Sequence, residues 1–533
     1  MKNETKMLLM RAAVDEHTKD ALKKQMVAKY TSPEFKAAVM QKLTHKWKGN
    51  FKDQWVDFKY WLKIWDASMS MTSKYEGKRL KGEQKKIMSE AMLNYPWLID
   101  MLKTNHLATK ITEGRNGAPL KALKMILLDE VISTVRSVQN VLLDPENTVM
   151  SHAMVPNQIF QAMGLKTFTV EEAANVIGLD DQHSVEKYLD AMYNLGLPDN
   201  TCTYSTQTPG MFALGDYPTK AACMVAASVP CEAHFEGYSL MSKATGLPTY
   251  WLDIPYDFND DASIKAYVED LKGLIAFLED HTGHKMDWDK LREVCIRHNR
   301  ILELELERWE LNRAENPPMP DDAILLAHMQ AFHLDTSTEA DLKLFEELVK
   351  ITKEAYVLGK PAAKNIQHKT VLWSAPAYCY PYAWNWLERC WGVEVLNDME
   401  SFGEFEPIDT ATPDTMLTGI AKYWCHGSMS RHLRGPAENW IESLNQISAM
   451  YSPDFVLNLN HNNCRGHQSF SGYLTEWSRK NHMPFCNVTC NMYDTRVCSR
   501  QGIRDQINAF MMNVMHAEPL DRNLLVIDDG NDW

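Results

Sequence analysis

The spacing of hydrophobic positions changes character near residue 150. Before it, Trp55, Phe58, Leu62 and Trp65 recur at helical intervals, and charged segments such as KYEGKRLKGEQKK, from Lys74 to Lys86, separate the apolar stripes. This pattern predicts a helical extension over residues 1–145, suited to a cap or an oligomerisation arm, with no chemistry in it. Beyond it, short apolar runs alternate with helical segments, as in parallel α/β units.

In the first of these blocks CMVAASV, Cys223 to Val229, reads as a buried strand. Cys231 and a helical stretch near Phe235 to Ala244 follow, and after Gly246 and Pro248 the run TYWLDIP supplies the next strand. Residues 262–314 read as long amphipathic helices, with Ile264, Tyr267, Val268, Leu271, Leu274, Ile275 and Leu278 on one face. A further helix over 339–358 stops at Gly359, with Pro361 just beyond. A second block starts at Lys369 with strand TVLWSAP, helix 382–391, strand VEVLND and helix 437–450. Strand DFVLNLN, helix 467–480, strand PFCNVTC and helix 499–514 complete it. The expected fold class is α/β, divided as a helical extension (1–145), a first α/β domain with its helical segment (146–330) and a second α/β domain (331–533). Cys231 and Cys464 each fall just past the C-terminal end of a core strand, where open α/β sheets bind ligands.

Composition narrows the classes of function. The 533 residues are 45% hydrophobic and 24% charged, an ordinary globular balance. A net charge of -14 argues against nucleic acid or an anionic membrane as the main partner, and leaves room for a local basic pocket. No apolar run approaches the ~20 residues needed to span a bilayer. The first residues lack the apolar core and cleavage site of a secretion signal, so a cytoplasmic protein is expected. All eleven cysteines lie between Cys202 and Cys498, and an odd number in such a chain argues against a disulfide framework. Packing, metal ligation and catalysis remain.

Thiolates suit soft metals and iron–sulfur clusters, and a cluster held by three of them keeps one iron open for chemistry. No local CxxC pattern is present, so buried hydrophobic thiols are an equally available reading of these positions. Cys486 and Cys490, in CNVTCNMYD, share one face of a strand and read as core, although Cys490 ends that strand near the crevice.

The stretches LPDNTC, YPTKAACMVAASVPCE and LPTYWLDIPY resemble the first half of the 2-hydroxyacyl-CoA dehydratase and benzoyl-CoA reductase family. VEDLKGLIAFLEDHTGHKMDWDKLREVCIRHNRILEL resembles its helical segment. DFVLNLNHNNCRGHQSF and MPFCNVTCNMYDTRVCSRQGIRDQINAF, with Asp494, Arg496, Gln501 and Arg504, resemble its closing motif. The resemblance spans roughly residues 145–515. It implies two flavodoxin-like, Rossmann-like domains with a 4Fe–4S cluster between them, held by Cys202, Cys231 and Cys464. It also implies an acyl-CoA substrate, a second related subunit, and a separate ATP-hydrolysing activator that delivers low-potential electrons for radical chemistry.

Within SHAMVPNQIFQAMGLKTFTVEE the resemblance places Ser151 and Glu171 at the substrate, while Gln158 stands where the family has a glutamate. His152, His461 and His467 flank the same loops and suit proton transfer or loop hydrogen bonding. Arg465, directly after Cys464, suits a reduced cluster or a thioester oxyanion. Arg431 and Arg434 in HGSMSRHLRG suit CoA phosphates. Arg496 and Arg504 read as structural partners of Asp494 and Asp505. The readings carried forward are a dehydratase-type subunit, a benzoyl-CoA-reductase-type subunit, a non-catalytic electron-relay or scaffold partner, and an α/β binding protein without metal.

Overall fold

Aliphatic runs closed by Pro, Gly or Asn make strands too short to bend, and here they assemble into two separate sheets. The computed structural model describes residues 50–528, apart from 96, 102–103, 172–182 and 335–336. The first 49 residues of the expected extension lie outside the described residues.

The extension begins with α1 (Phe51–Ser70), whose Asn50 cap accepts a hydrogen bond from the Asp53 amide. The charged segment after it is not a mere spacer. It folds into a two-residue hairpin, β1 (Lys74–Tyr75) with β2 (Lys78–Arg79), turned by Glu76 and Gly77, both at positive φ. The long helix α2 (Gly117–Leu143) is buried along most of its length. α1 lies on α2, with Ile64, Ala67 and Ser68 buried and Asp57 paired with Lys124 of α2 at 2.8 Å, and the apolar stripe is partly turned out: Trp55 is 57% exposed and Leu62 45%. Arg115, just before α2, ties the extension to both α/β blocks through Asp322 at 2.7 Å and Glu388.

The first block contains β3 (Thr148–Ser151), α3 (Asn157–Ala162), β4 (Lys166–Thr169), α4 (Thr203–Leu214), β5 (Cys223–Ala227), α5 (Glu232–Thr245) and β6 (Thr249–Leu252). Its four strands are parallel in the order β4-β3-β5-β6. Two long helices, α6 (Asp261–Thr282) and α7 (Trp288–Leu311), follow, and the seven apolar positions expected on one face of α6 are its buried face. After α8 (Asp322–His328) the chain widens into a π-helical turn over Met329–Leu334, then forms α9 (Glu339–Val357) with a Thr338–Asp341 capping box.

The second block repeats the arrangement with β7 (His368–Leu372), α10 (Ala383–Trp391), β8 (Val393–Asp398), α11 (Pro413–His426), α12 (Ala437–Tyr451), β9 (Phe455–His461), α13 (Arg465–Asn481), β10 (Phe485–Cys490) and α14 (Arg500–Asn513). Its strands are parallel in the order β10-β9-β7-β8. Numbered within each block, both sheets run 2-1-3-4, the flavodoxin-like order. Each therefore has one switch point, between β3 and β5 in the first block and between β7 and β9 in the second. Crevices open there, at the carboxyl ends of the strands.

Candidate metal centre

Three helices begin with a cysteine. Cys202 caps α4, Cys231 caps α5 and Cys464 caps α13, and none of the three makes a capping hydrogen bond through its side chain. Cysteine is not among the good N-cap residues, so local helix preference does not explain it at these termini. A local rule broken three times at one place marks a site where something other than helix stability decides the residue. The last two cysteines follow β5 and β9, the strands that border the two switch points.

All three line one cavity, partly open to solvent. They also line a second, outer recess with Asn463 and the exposed Arg465 and Glu232. The cysteines thus form the partition between an inner chamber and a solvent-side recess. Crowding is felt in their chemistry. Burial and the neighbouring Cys464 and Cys231 raise the Cys202 thiol well above its usual range. Burial pushes Cys464 up to about 12, and the amides of His467 and Gly466 work the other way. Partial positive charge at three helix N-termini favours whatever anionic sulfur or cluster sits among them.

The inner chamber meets a buried polar network at the end of β3. His152 is 1% exposed, its Nε2 3.5 Å from Oε1 of Glu171. His234, on α5 one turn after Cys231, places its Nε2 3.6 Å from the same oxygen. Its Nδ1 is 2.9 Å from the Ser205 hydroxyl. The Tyr238 hydroxyl donates to Glu171 at 2.5 Å. Burial holds His152 down to about 3, so it is neutral near pH 7. Burial alone would raise Glu171, but the two imidazoles and the Tyr238 hydroxyl hold its carboxyl below the usual range. Ligand-capable atoms of His152, Glu171 and His234 lie within 4.8 Å of one another. Ser151 ends β3, fully buried, with its hydroxyl unpartnered.

Other residues singled out from the sequence are spread around this centre. Buried His461 approaches the Ala375 carbonyl with Nε2 at 2.9 Å and the Cys490 sulfur with Nδ1 at 3.5 Å. His467 stacks on it at 5.3 Å and lines the chamber. Cys486 and Cys490 are buried in the core of the second block. Arg431 is 2% exposed and donates to Ser443, Glu404 and Glu442. Arg434 donates to the Ile254 carbonyl and to Asp253, and Arg465 pairs with Glu232 at 3.1 Å. Arg496 grips Asp494 through two nitrogens, whereas Arg504 turns to Gln501, Tyr380 and the Ile527 carbonyl rather than to Asp505.

Comparison with described protein families matches residues 152–513 to the family described as 2-hydroxyglutaryl-CoA dehydratase, D-component. The chain belongs to that family. No curated protein compared with it matches the chain. The family match covers all three capping cysteines, the second sheet and the first sheet except β3, and leaves α1, α2 and β3 outside. Among the described residues no helix is long and apolar enough to cross a membrane.

Several site residues carried no signal that was read beforehand. His234 and Tyr238 fall three and seven positions after Cys231, on one face of α5, and helical spacing from the cysteine points to them. Glu400 and Tyr378, which line the chamber beyond β8 and β7, belong to irregular segments where no period exists. The two π-helical turns, Met329–Leu334 and Ser430–Arg434, both border the chamber, a common placement for such turns.

Proposed function

We propose that this chain is the cluster-holding subunit of an ATP-activated, radical-type acyl-CoA enzyme that works as a 2-hydroxyacyl-CoA dehydratase. The observation that carries the reading is the partition of Cys202, Cys231 and Cys464 between an inner chamber and an outer recess. Three thiols without a fourth among the residues lining either space fit a 4Fe–4S cluster with one iron left open. Two would come from the first block and one from the second. When bound, such a cluster supplies low-potential one-electron chemistry.

The chain's own residues account for the rest. Four methionines and the rings of Tyr204 and Tyr378 give the chamber a largely apolar lining, which limits the water that can reach a radical and strengthens the electrostatic contacts inside. His152, neutral and next to Glu171, can accept or return a proton at Nδ1, a buried atom without a partner. Tyr238 and His234 orient Glu171. On the outer side, Arg465 and Glu232 border the face that an electron-donating activator would approach. A second related subunit would complete the enzyme, as the D-component description suggests.

Anaerobic purification followed by iron and acid-labile sulfide analysis is the first test. About four of each per chain is expected. Single-turnover assays with activator, ATP and a panel of acyl-CoA thioesters then separate a catalyst from a relay. A chain purified anaerobically without iron would sink the proposal, and a chain that changes redox state without consuming thioester would reduce it to a relay.

A further inference from the structure

The inner chamber has an unusual charge inventory for a family named after a dicarboxylic acyl group. No lysine or arginine lines it. The nearby guanidiniums are committed elsewhere: Arg431 to Glu404 and Glu442, Arg434 to Asp253, Arg465 to Glu232. Of its imidazoles, His234 already faces the Glu171 carboxylate, and burial holds His152 and His333 down to about 3. One carboxylic acid is among the lining residues. Glu400, 4% exposed, accepts a hydrogen bond from Tyr378 at 2.8 Å. Burial, with Asp398 beside it, pushes its carboxyl up to about 8. The positive charge that His234 can carry is already taken up by the Glu171 carboxylate, so no cation of the lining is left free for an incoming anion. Much of the rest of the lining is soft and apolar, with Met154, Met329, Met429 and Met492 in it. Methionine surfaces adapt to hydrocarbon and aromatic shapes alike.

Resting on the acyl-CoA reading above, we infer that this chamber selects thioesters with an uncharged, apolar acyl group and discriminates against a second carboxylate. A carboxylate entering it would lose its hydration without gaining a cation, and burial of an unpaired charge is strongly unfavourable. A hydrocarbon or aromatic group gains by leaving water for the methionine and tyrosine walls. A single hydroxyl on the acyl group has partners in Glu400 and Tyr378.

The test is competitive binding to the anaerobically purified complex with saturated analogues that cannot eliminate water. Glutaryl-CoA is compared with 4-methylpentanoyl-CoA, 3-phenylpropanoyl-CoA and free CoA. The neutral thioesters should bind at least about tenfold tighter than glutaryl-CoA and than CoA itself. Glutaryl-CoA binding as tightly as they do, or neutral thioesters binding no better than CoA, overturns the inference while acyl-CoA recognition stands. Failure of every thioester and of CoA to bind removes the acyl-CoA reading and the inference with it. Met429, half-buried at the chamber edge, offers a gain-of-function arm. Met429→Lys should shift the ratio toward glutaryl-CoA by about tenfold, because a lysine there can reach the chamber with its stem on the wall. An unchanged ratio in a folded variant counts against this chamber as the acyl site. If the variant does not fold, the wild-type ratio decides.

Discussion

Arg465 and Glu232 face each other at 3.1 Å across the outer recess, and each is the residue directly after a capping cysteine, Cys464 and Cys231. The pair joins the first turn of α13 to the first turn of α5, and so the second block to the first. Both side chains are largely exposed, so their contribution to stability is small. Their position makes them a latch over the sulfur atoms.

Breaking that latch should therefore separate stability from access. Arg465→Gln and Glu232→Gln should each change unfolding stability by less than about 1 kcal/mol. In the proposed holoprotein the same changes should hasten the bleaching of visible absorbance on exposure to air. Stopped-flow bleaching alongside thermal unfolding measures both. Equal bleaching rates in variant and wild type would show that the pair does not guard the site.

The cysteines divide into two groups by environment, and substitution should reveal the division. Cys231→Ala and Cys464→Ala remove half-buried thiols at helix termini, and most of the iron should be lost while the chain stays folded. Cys486→Ala removes a buried core thiol from β10. It should retain iron and lose about 1 kcal/mol of stability from the small cavity left behind. Iron content per chain after anaerobic desalting is the readout. Equal iron loss across the three variants contradicts the assignment.

A buried imidazole away from the cysteines should set part of the response to acid. His432, in the second π-helical turn, packs edge-on against Trp373 at 5.1 Å. Burial, reinforced by the neighbouring Arg431 charge, pushes it down from 6.5 to about 3. Above pH 6.5 neither the folded nor the unfolded chain protonates this ring. Between about 6.5 and 3 only the unfolded chain does, so stability falls as pH falls, by about 1.4 kcal/mol per pH unit. His432→Leu removes that term. Its unfolding free energy between about pH 6 and pH 4 should decline less steeply by this amount, whatever its value at neutral pH. Denaturant titrations across that range check it, and parallel slopes would refute it.

Much of this arrangement was legible because strand, turn and helix signals agree at the same residues. Cys231 follows CMVAASVP and Cys464 follows DFVLNLNHNN, so a run of strand formers and a turn place each thiol at a strand tip. Cys202 has no strand before it and entered only through the family resemblance. Within the helical extension, the charged separator carries a hairpin at Lys74–Arg79 whose two-residue strands are too short to produce a period. The stripe from Trp55 to Trp65 marked α1 as a helix, but the buried positions of α1 include Ile64, Ala67 and Ser68, so apolar spacing gave the element and not its packing side. Glu400, Tyr378 and the π-helical turns depend on how two distant blocks meet, which no local pattern encodes. Long-range pairing also explains why Arg431, read as free for phosphate, is tied to Glu404 and Glu442.

The spacing between two of the capping cysteines rests on a glycine. Gly237 lies on α5, two turns after Cys231, where the helix crosses α4 behind Cys202. A Cβ at Gly237 would sit 2.8 Å from the Ser205 carbonyl oxygen, a backbone atom that cannot swing aside. Gly237→Ala must push α5 and α4 apart, and with them the termini that present Cys231 and Cys202. Overpacking of this kind costs about 1–3 kcal/mol. A cluster held by both termini should suffer more than the fold does, so iron retention should fall further than stability predicts. Gly472, on the exposed side of α13, has nothing within 4 Å of the equivalent position. Gly472→Ala should stabilise the chain by roughly 0.5–1 kcal/mol and leave iron untouched. Iron analysis and denaturant unfolding of the two variants side by side make the comparison. Full iron in Gly237→Ala would mean that the contact between α4 and α5 does not set the distance between the two thiols.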